Sequence, residues 1–159
     1  MILGIGADIL DIKRIRNGLK GDSEAFVQQT FTAKEQEETS GRPDPVSYYA
    51  TRFAAKEAVF KCFGIAGDEV SLGEIEILDN DVGQPHVTLL GRAREIARQK
   101  GIRDVRVSLS YETDYAVAFA VAQDSKRHKT SKKIRSFRVI DLEAFIMFMK
   151  RSNKYGVKR

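Results

Sequence analysis

Four alanines constrain this chain more than any other feature. Over residues 115–121 the side chains alternate, and Ala116, Ala118, Ala120 and Ala122 all fall on one side. Alternation at period two marks a strand. A strand face made only of methyl groups suits tight packing against a helix. Residues 46–63 form the strongest helical stretch, with Val46, Tyr49, Ala50, Phe53 and Phe60 at helical spacing and Gly64 as a stop. Residues 2–9 read as another strand. Leu3, Ile5 and Ala7 point one way; Gly4, Gly6 and Asp8 point the other. Bare backbone within a strand marks close approach of a ligand or of another backbone.

The remaining pattern fills in around these elements. A short helix over 11–19 and the residue after it carry Lys13, Arg14, Arg16 and Lys20. Residues 25–31 read as helical. Thr32 opens a further helix, with Glu35 three residues on as a capping box, ending near Gly41. Residues 42–45 form a loop. Strands are expected over 72–78, 87–89 and 105–111, with a turn over 79–85. A helix spans 91–99, with Gly101 as its C-terminal cap. Strands and helices without strict alternation predict an α+β fold.

Length and charge set the domain organisation. The chain has 159 residues, enough for one domain and a small appendage. Its net charge of +5 is unevenly spread. Residues 1–122 hold 15 Lys and Arg against 19 Asp and Glu, a net of −4. Residues 123–159 hold 12 against 3, a net of +9. The expectation is a mildly acidic body, 1–122, and a basic extension, 123–159, whose Asp141 caps an amphipathic helix reaching residue 151. The single cysteine, Cys62, excludes an internal disulfide framework. No apolar run approaches a membrane span, and a secretory signal pattern is missing, so the expected setting is the cytosol.

Glu57 is the sharpest chemical observation. On a helical wheel it lies 40° from Phe53, inside the apolar stripe of residues 46–63. A carboxylate there needs a cation or a metal. Lys61, one turn on, supplies one answer, a structural i,i+4 pair. Asp8 supplies another: with Glu57 it could hold one Mg²⁺, which takes one or two carboxylates together with substrate phosphates. Arg52, Lys56 and Lys61 could then face a polyanion, or could simply be a solvated flank. Other motifs fail. Ile9 stands where a dinucleotide fingerprint needs its third glycine. His86 and His128 have no neighbouring ligands.

In this order the pieces resemble a holo-[acyl-carrier-protein] synthase, the small bacterial type of 4′-phosphopantetheinyl transferase. Four blocks carry the resemblance across 1–122. They are Ile5-Gly6-Ala7-Asp8-Ile9 with Lys13-Arg14-Ile15; Arg52-Phe53-Ala54-Ala55-Lys56-Glu57-Ala58 with Lys61 and Gly64; Gly83-Gln84-Pro85-His86-Val87; and Ser108-Leu109-Ser110-Tyr111 followed by Tyr115-Ala116-Val117-Ala118. The second block is the most specific. The resemblance implies a compact α+β fold, with a short mixed or antiparallel sheet packed against a long central helix. It implies transfer of the 4′-phosphopantetheine arm of coenzyme A to a serine of apo acyl carrier protein. Adenosine 3′,5′-bisphosphate is released.

Site roles follow from the same resemblance. Asp8 and Glu57 would hold Mg²⁺, and Glu57 and Lys61 would be catalytic. Arg52, Lys56, Lys61, Gly64, Pro85, Ser108 and Ser110 would line the coenzyme A site. Lys13, Arg14, Arg16 and Lys20 would meet the acidic carrier protein. A homotrimer is implied, with Asp8 and the Glu57 helix contributed by different subunits. Tyr111 departs from the family, which usually has histidine there beside the coenzyme A phosphates; tyrosine brings no positive charge. Two other readings stay open: a non-catalytic family member binding through its basic tail, and another Mg²⁺-dependent phosphotransfer enzyme or nucleotide hydrolase on a related body. Nucleic acid is not the expected partner of the body.

Overall fold

The computed structural model describes residues 1–21, 23–65 and 69–124. The basic extension beyond these, with the helix expected from Asp141, lies outside the described residues. Five strands and five helices appear in the described part: β1 (Ile2–Asp11), α1 (Ile12–Gly18), α2 (Ser23–Thr30), α3 (Ala33–Ser40), α4 (Pro45–Phe63), β2 (Ile75–Asp79), β3 (Pro85–Leu89), α5 (Gly91–Gln99), β4 (Asp104–Tyr111) and β5 (Tyr115–Gln123). The fold is α+β. Both sheets are wholly antiparallel: one has three strands in the order β1-β5-β4, the other is the β2-β3 hairpin.

The alanine face does what its composition requires. Ala116, Ala118, Ala120 and Ala122 have no exposed surface, and α4 lies across them. The bare face of β1 meets the same helix. A Cβ on Gly6 would stand 1.9 Å from the Ala58 carbonyl oxygen, and one on Gly4 would stand 2.0 Å from that of Cys62. The glycines therefore serve backbone-to-backbone contact between β1 and α4.

That contact changes the reading of α4. The helix meets the sheet through small residues: Ala54, Ala55, Ala58 and Val59 are fully enclosed, whereas Tyr49, Phe53 and Phe60 are only partly buried. The stripe of large residues marks a second, half-buried side. Phe53 stacks there on Phe26, and Tyr49 packs on Phe31, with ring centroids 6.4 and 4.5 Å apart. Helix ends follow local chemistry. Asp44 caps α4 by accepting from the Ser47 N–H at 3.1 Å, with Pro45 in the first turn. Gly64 closes it in the left-handed conformation, φ 59°. Thr32 and Glu35 form the expected capping box on α3.

One expected strand begins late. Residues 72–74 form a 3-10 turn, and pairing starts at Ile75. Ser71 Oγ accepts from the Gly73 N–H at 3.3 Å and Glu74 Oε2 accepts from the Ser71 N–H at 3.4 Å, a capping box that winds this stretch before the strand can pair.

Candidate active site

The register of the three-stranded sheet places Asp8. It pairs with Ala118, which pairs with Leu109, so all three share the face that α4 covers. The close seating of α4 on Gly4 and Gly6 brings Glu57 and Lys61 over this edge of β1. Lys61 Nζ donates to Asp8 Oδ1 at 2.7 Å and to the Ala7 carbonyl at 3.3 Å. Its ion pair therefore runs across to the strand, not along the helix to Glu57. Burial first, and then the neighbouring Asp8 carboxylate, hold the Glu57 carboxyl above its ordinary value; Lys61 and Arg14 pull it back. Asp8, Glu57, Lys61 and Arg14 thus form one electrostatic cluster within a single chain. The expectation that Asp8 and the Glu57 helix come from different subunits is corrected: one chain supplies both, because the glycine face locks strand and helix together.

A second group gathers at the opposite edge of the sheet, along β4. Arg52, Pro85, Ser108 and Ser110 line a cavity of about 570 Å³, joined by Arg42, Tyr48, Asp79, Gln84 and Tyr111. Arg52 is only 4% exposed. Its Nη2 lies 2.7 Å from Asp79 Oδ1, yet Nε and Nη2 are buried without a well-formed hydrogen bond. A guanidinium with spare buried donors beside an open cavity is suited to a further anionic acceptor. Ser108 and Ser110 pair with Phe119 and Val117, so their side chains lie on the face opposite Asp8. Strand β5 separates the two groups.

Lys56 does not join either group. It is fully enclosed, with Nζ bonded to Glu35 Oε2 at 2.7 Å and to the Ile75 and Leu72 carbonyls at 2.6 and 3.0 Å. Burial lowers the affinity of its amine for a proton, and Glu35 opposes that. Glu35 also accepts from the Ile77 N–H at 3.0 Å. The lysine expected to face coenzyme A is instead a strut joining α3, α4 and β2; three protein acceptors already satisfy its three donors. Gly64 lies exposed at the end of α4. Lys13, Arg14, Arg16 and Lys20 are all exposed on and just after α1. Arg42, Tyr48 and Asp79 were not legible as site residues. They come from a loop, a helix and a strand end far apart in sequence, and no periodicity links them.

The donor set bears on a metal. Among the described residues no cluster of three or more His, Cys, Asp or Glu is present. Two carboxylates at one place, with Asp8 raising the cost of charging Glu57, form an incomplete hard-oxygen site. That fits Mg²⁺ sharing its coordination with substrate oxygens rather than a closed protein cage.

Comparison with known proteins defines the class. The family model for the 4′-phosphopantetheinyl transferase superfamily matches residues 4–120, and the chain belongs to that superfamily. Within it, the holo-[acyl-carrier-protein] synthase of Desulforudis audaxviator is 42% identical over 122 residues, covering 77% of this chain and 93% of the relative. That of Caldanaerobacter subterraneus is 37% identical over 122 residues, covering 77% and 95%. The crystal structure of holo-[acyl-carrier-protein] synthase from Neisseria meningitidis has 38% identity and a TM-score of 0.71, covering 77% of this chain and 99% of that one. The Bacillus anthracis enzyme, solved in complex with CoA (3′,5′-ADP), has 32% identity and a TM-score of 0.65, covering 79% and 99%. The family resemblance, the α+β fold and the reading as an enzyme are borne out.

Proposed function

We propose that this chain transfers the 4′-phosphopantetheine arm of coenzyme A to a serine of apo acyl carrier protein, releasing adenosine 3′,5′-bisphosphate. The observation that carries the proposal is the Asp8–Lys61–Glu57 cluster. A carboxylate held above its usual proton affinity stands beside a second carboxylate and a lysine. Displacement at phosphorus asks mainly for positioning and neutralised charge. The serine oxygen forms a bond to the pantetheine-side phosphorus as the pyrophosphate P–O bond breaks. The serine proton passes to Glu57, whose raised affinity suits a general base. Lys61 offsets charge on the departing phosphate.

Asp8 and Glu57 would hold Mg²⁺, which supplies neutralisation of the pyrophosphate charge. Arg52, Pro85, Ser108 and Ser110 would receive the nucleotide end of coenzyme A, with Lys61 and Gly64 bordering its pyrophosphate. Lys13, Arg14, Arg16 and Lys20 would steer the acidic carrier to the Glu57 edge.

The catalytic unit is proposed as residues 1–122, working in the cytoplasm in fatty acid synthesis, with 123–159 an extension. No helix among the described residues is long and apolar enough to cross a membrane. A homotrimer accounts for two features. The Asp8 and Arg52 groups lie at opposite edges of one sheet, so two subunits could complete each site. The sheet face away from α4 exposes Leu3, Ile5, Ile9, Tyr115 and Phe119, an apolar patch that asks for a cover.

The test is intact-mass spectrometry of apo acyl carrier protein incubated with the chain, coenzyme A and Mg²⁺. The expected gain is one phosphopantetheine, lost with EDTA. No gain on any carrier, with coenzyme A still bound, would reject the proposal.

A further inference from the structure

The far end of the coenzyme A cavity contains an arrangement that the transfer steps do not use. Asp79, the last residue of β2, bridges two arginines: Oδ1 stands 2.7 Å from Arg52 Nη2, and Oδ2 stands 2.8 Å from Arg42 Nη2. Both guanidiniums lie over the Tyr48 ring, with their carbons 4.1 and 4.7 Å from its centroid. The Tyr48 hydroxyl donates to Glu38. Glu38 also accepts from Arg42 Nη2 at 3.1 Å and from the Asp79 backbone N–H at 3.3 and 3.4 Å. The Tyr48 ring therefore holds both guanidiniums, and Glu38 holds that of Arg42, by contacts that do not involve the Asp79 carboxylate.

Coenzyme A carries two phosphate groupings. Its pyrophosphate belongs with the reacting centre at Asp8, Glu57 and Lys61. Its remaining phosphate is the 3′-monoester, a dianion at neutral pH, and paired guanidiniums are the protein group that best matches such an anion. Asp79 already occupies that pair. Its hold is close in distance but leaves buried Arg52 donors without directed bonds, so a phosphate with three oxygens would satisfy the pair better than the carboxylate does.

We propose that Asp79 is an internal competitor for the 3′-phosphate. It sets how tightly the cavity holds coenzyme A and how readily the product leaves. The inference rests on coenzyme A as the ligand of this cavity. Its logic is that adenosine 3′,5′-bisphosphate keeps the 3′-phosphate after the pantetheine arm has gone. Unopposed, two guanidiniums would hold the spent nucleotide as firmly as the substrate. A carboxylate poised to reclaim both cations keeps the product exchangeable. Asp79 is thus a positioning residue that acts through Arg42 and Arg52.

The experiment is calorimetric titration of the full chain with adenosine 3′,5′-bisphosphate and with adenosine 5′-monophosphate, which lacks the 3′-phosphate. Wild type and Asp79→Asn are compared. In the variant the bisphosphate should bind about tenfold tighter, as expected for removing one competing charge at a partly buried pair, while the monophosphate is unchanged. In turnover with coenzyme A, KM and kcat should fall together. Unchanged or weaker binding of the bisphosphate overturns the inference. So does equal tightening of both nucleotides, which would mean only a general change of field. Should Asp79→Asn melt below the assay temperature, Asp79→Ser gives the same comparison. Wild type that does not distinguish the two nucleotides would overturn the coenzyme A reading of the cavity itself. Discrimination that persists unchanged in the variant would overturn the role of Asp79 alone.

Discussion

In the proposed mechanism Glu57 carries opposite obligations to folding and to chemistry. Burial and the Asp8 carboxylate raise its proton affinity in the folded chain. The folded state therefore binds the proton more tightly than the unfolded one. The stability this contributes is full at low pH and is lost as pH rises from the ordinary carboxylate range through the raised folded value. At neutral pH the ionised group works against the fold when metal and substrate are absent. Glu57→Gln should therefore melt higher than wild type at pH 7 in EDTA, with the gap closing near pH 4. The same substitution should lower transfer by roughly 10²–10⁴-fold, the usual contribution of a general base. A variant that melts lower at pH 7 would contradict the strain argument. The sequence exposed this residue through its place on the helical wheel. It did not separate Lys56 from Lys61, because five residues along a helix change which wall a side chain meets, and only the packing of α3 and β2 shows that Lys56 is enclosed.

At the scale of elements, the proposed catalytic geometry depends on how closely α4 can approach β1. Gly6 is where that dependence is tightest, since an added Cβ would lie 1.9 Å from a helix carbonyl that cannot swing aside. Gly6→Ala must push the helix off the strand. Overpacking of this kind costs about 1–3 kcal/mol or more, a fall of roughly 3–10 °C in melting temperature for a domain of this size. Gly41→Ala is the control, with nothing within 4 Å of the added Cβ. In thermal melts the first variant should drop and the second should not, and transfer should fall in the first because Glu57 and Lys61 ride on the displaced helix. Equal melts for both would refute the spacing argument. Much of this layer was legible: alternation gave the strands, the alanine face required a helix, and the two glycines announced a close approach. The sequence displayed the stripe of large residues on α4 but not that its small-residue side meets the sheet. Pattern reading favours large side chains, whereas contact at this range selects small ones. It also missed the 3-10 turn at Leu72–Glu74, where local capping overrode the strand pattern.

The molecule as a whole has one feature that a single chain does not satisfy. One face of the three-stranded sheet is sealed by α4; the other leaves Ile5 and Ile9 about two-thirds exposed and Phe119 about half exposed. Alternation predicts this two-faced strand, but the sequence alone does not say whether a helix, a lipid or another subunit covers the second face. The positions of the two residue groups favour another subunit. Asp8, Glu57 and Lys61 sit at the β1 edge, while Arg52, Ser108 and Ser110 sit at the β4 edge. A charge placed within the apolar face should separate assembly from the integrity of each group. Ile5 points away from α4, on the face opposite Asp8, so Ile5→Glu should leave the subunit folded and the Lys61–Asp8 pair in place. Sedimentation should then show wild type as a trimer and the variant as a monomer, since burying an unpaired carboxylate in an apolar interface is strongly unfavourable. Transfer by the monomer should be lost at any coenzyme A concentration within reach, because in the proposed assembly each site would keep only one of its two halves. A monomeric variant with full activity would show that one chain builds the whole site. A variant that stays trimeric would place the contact on another surface.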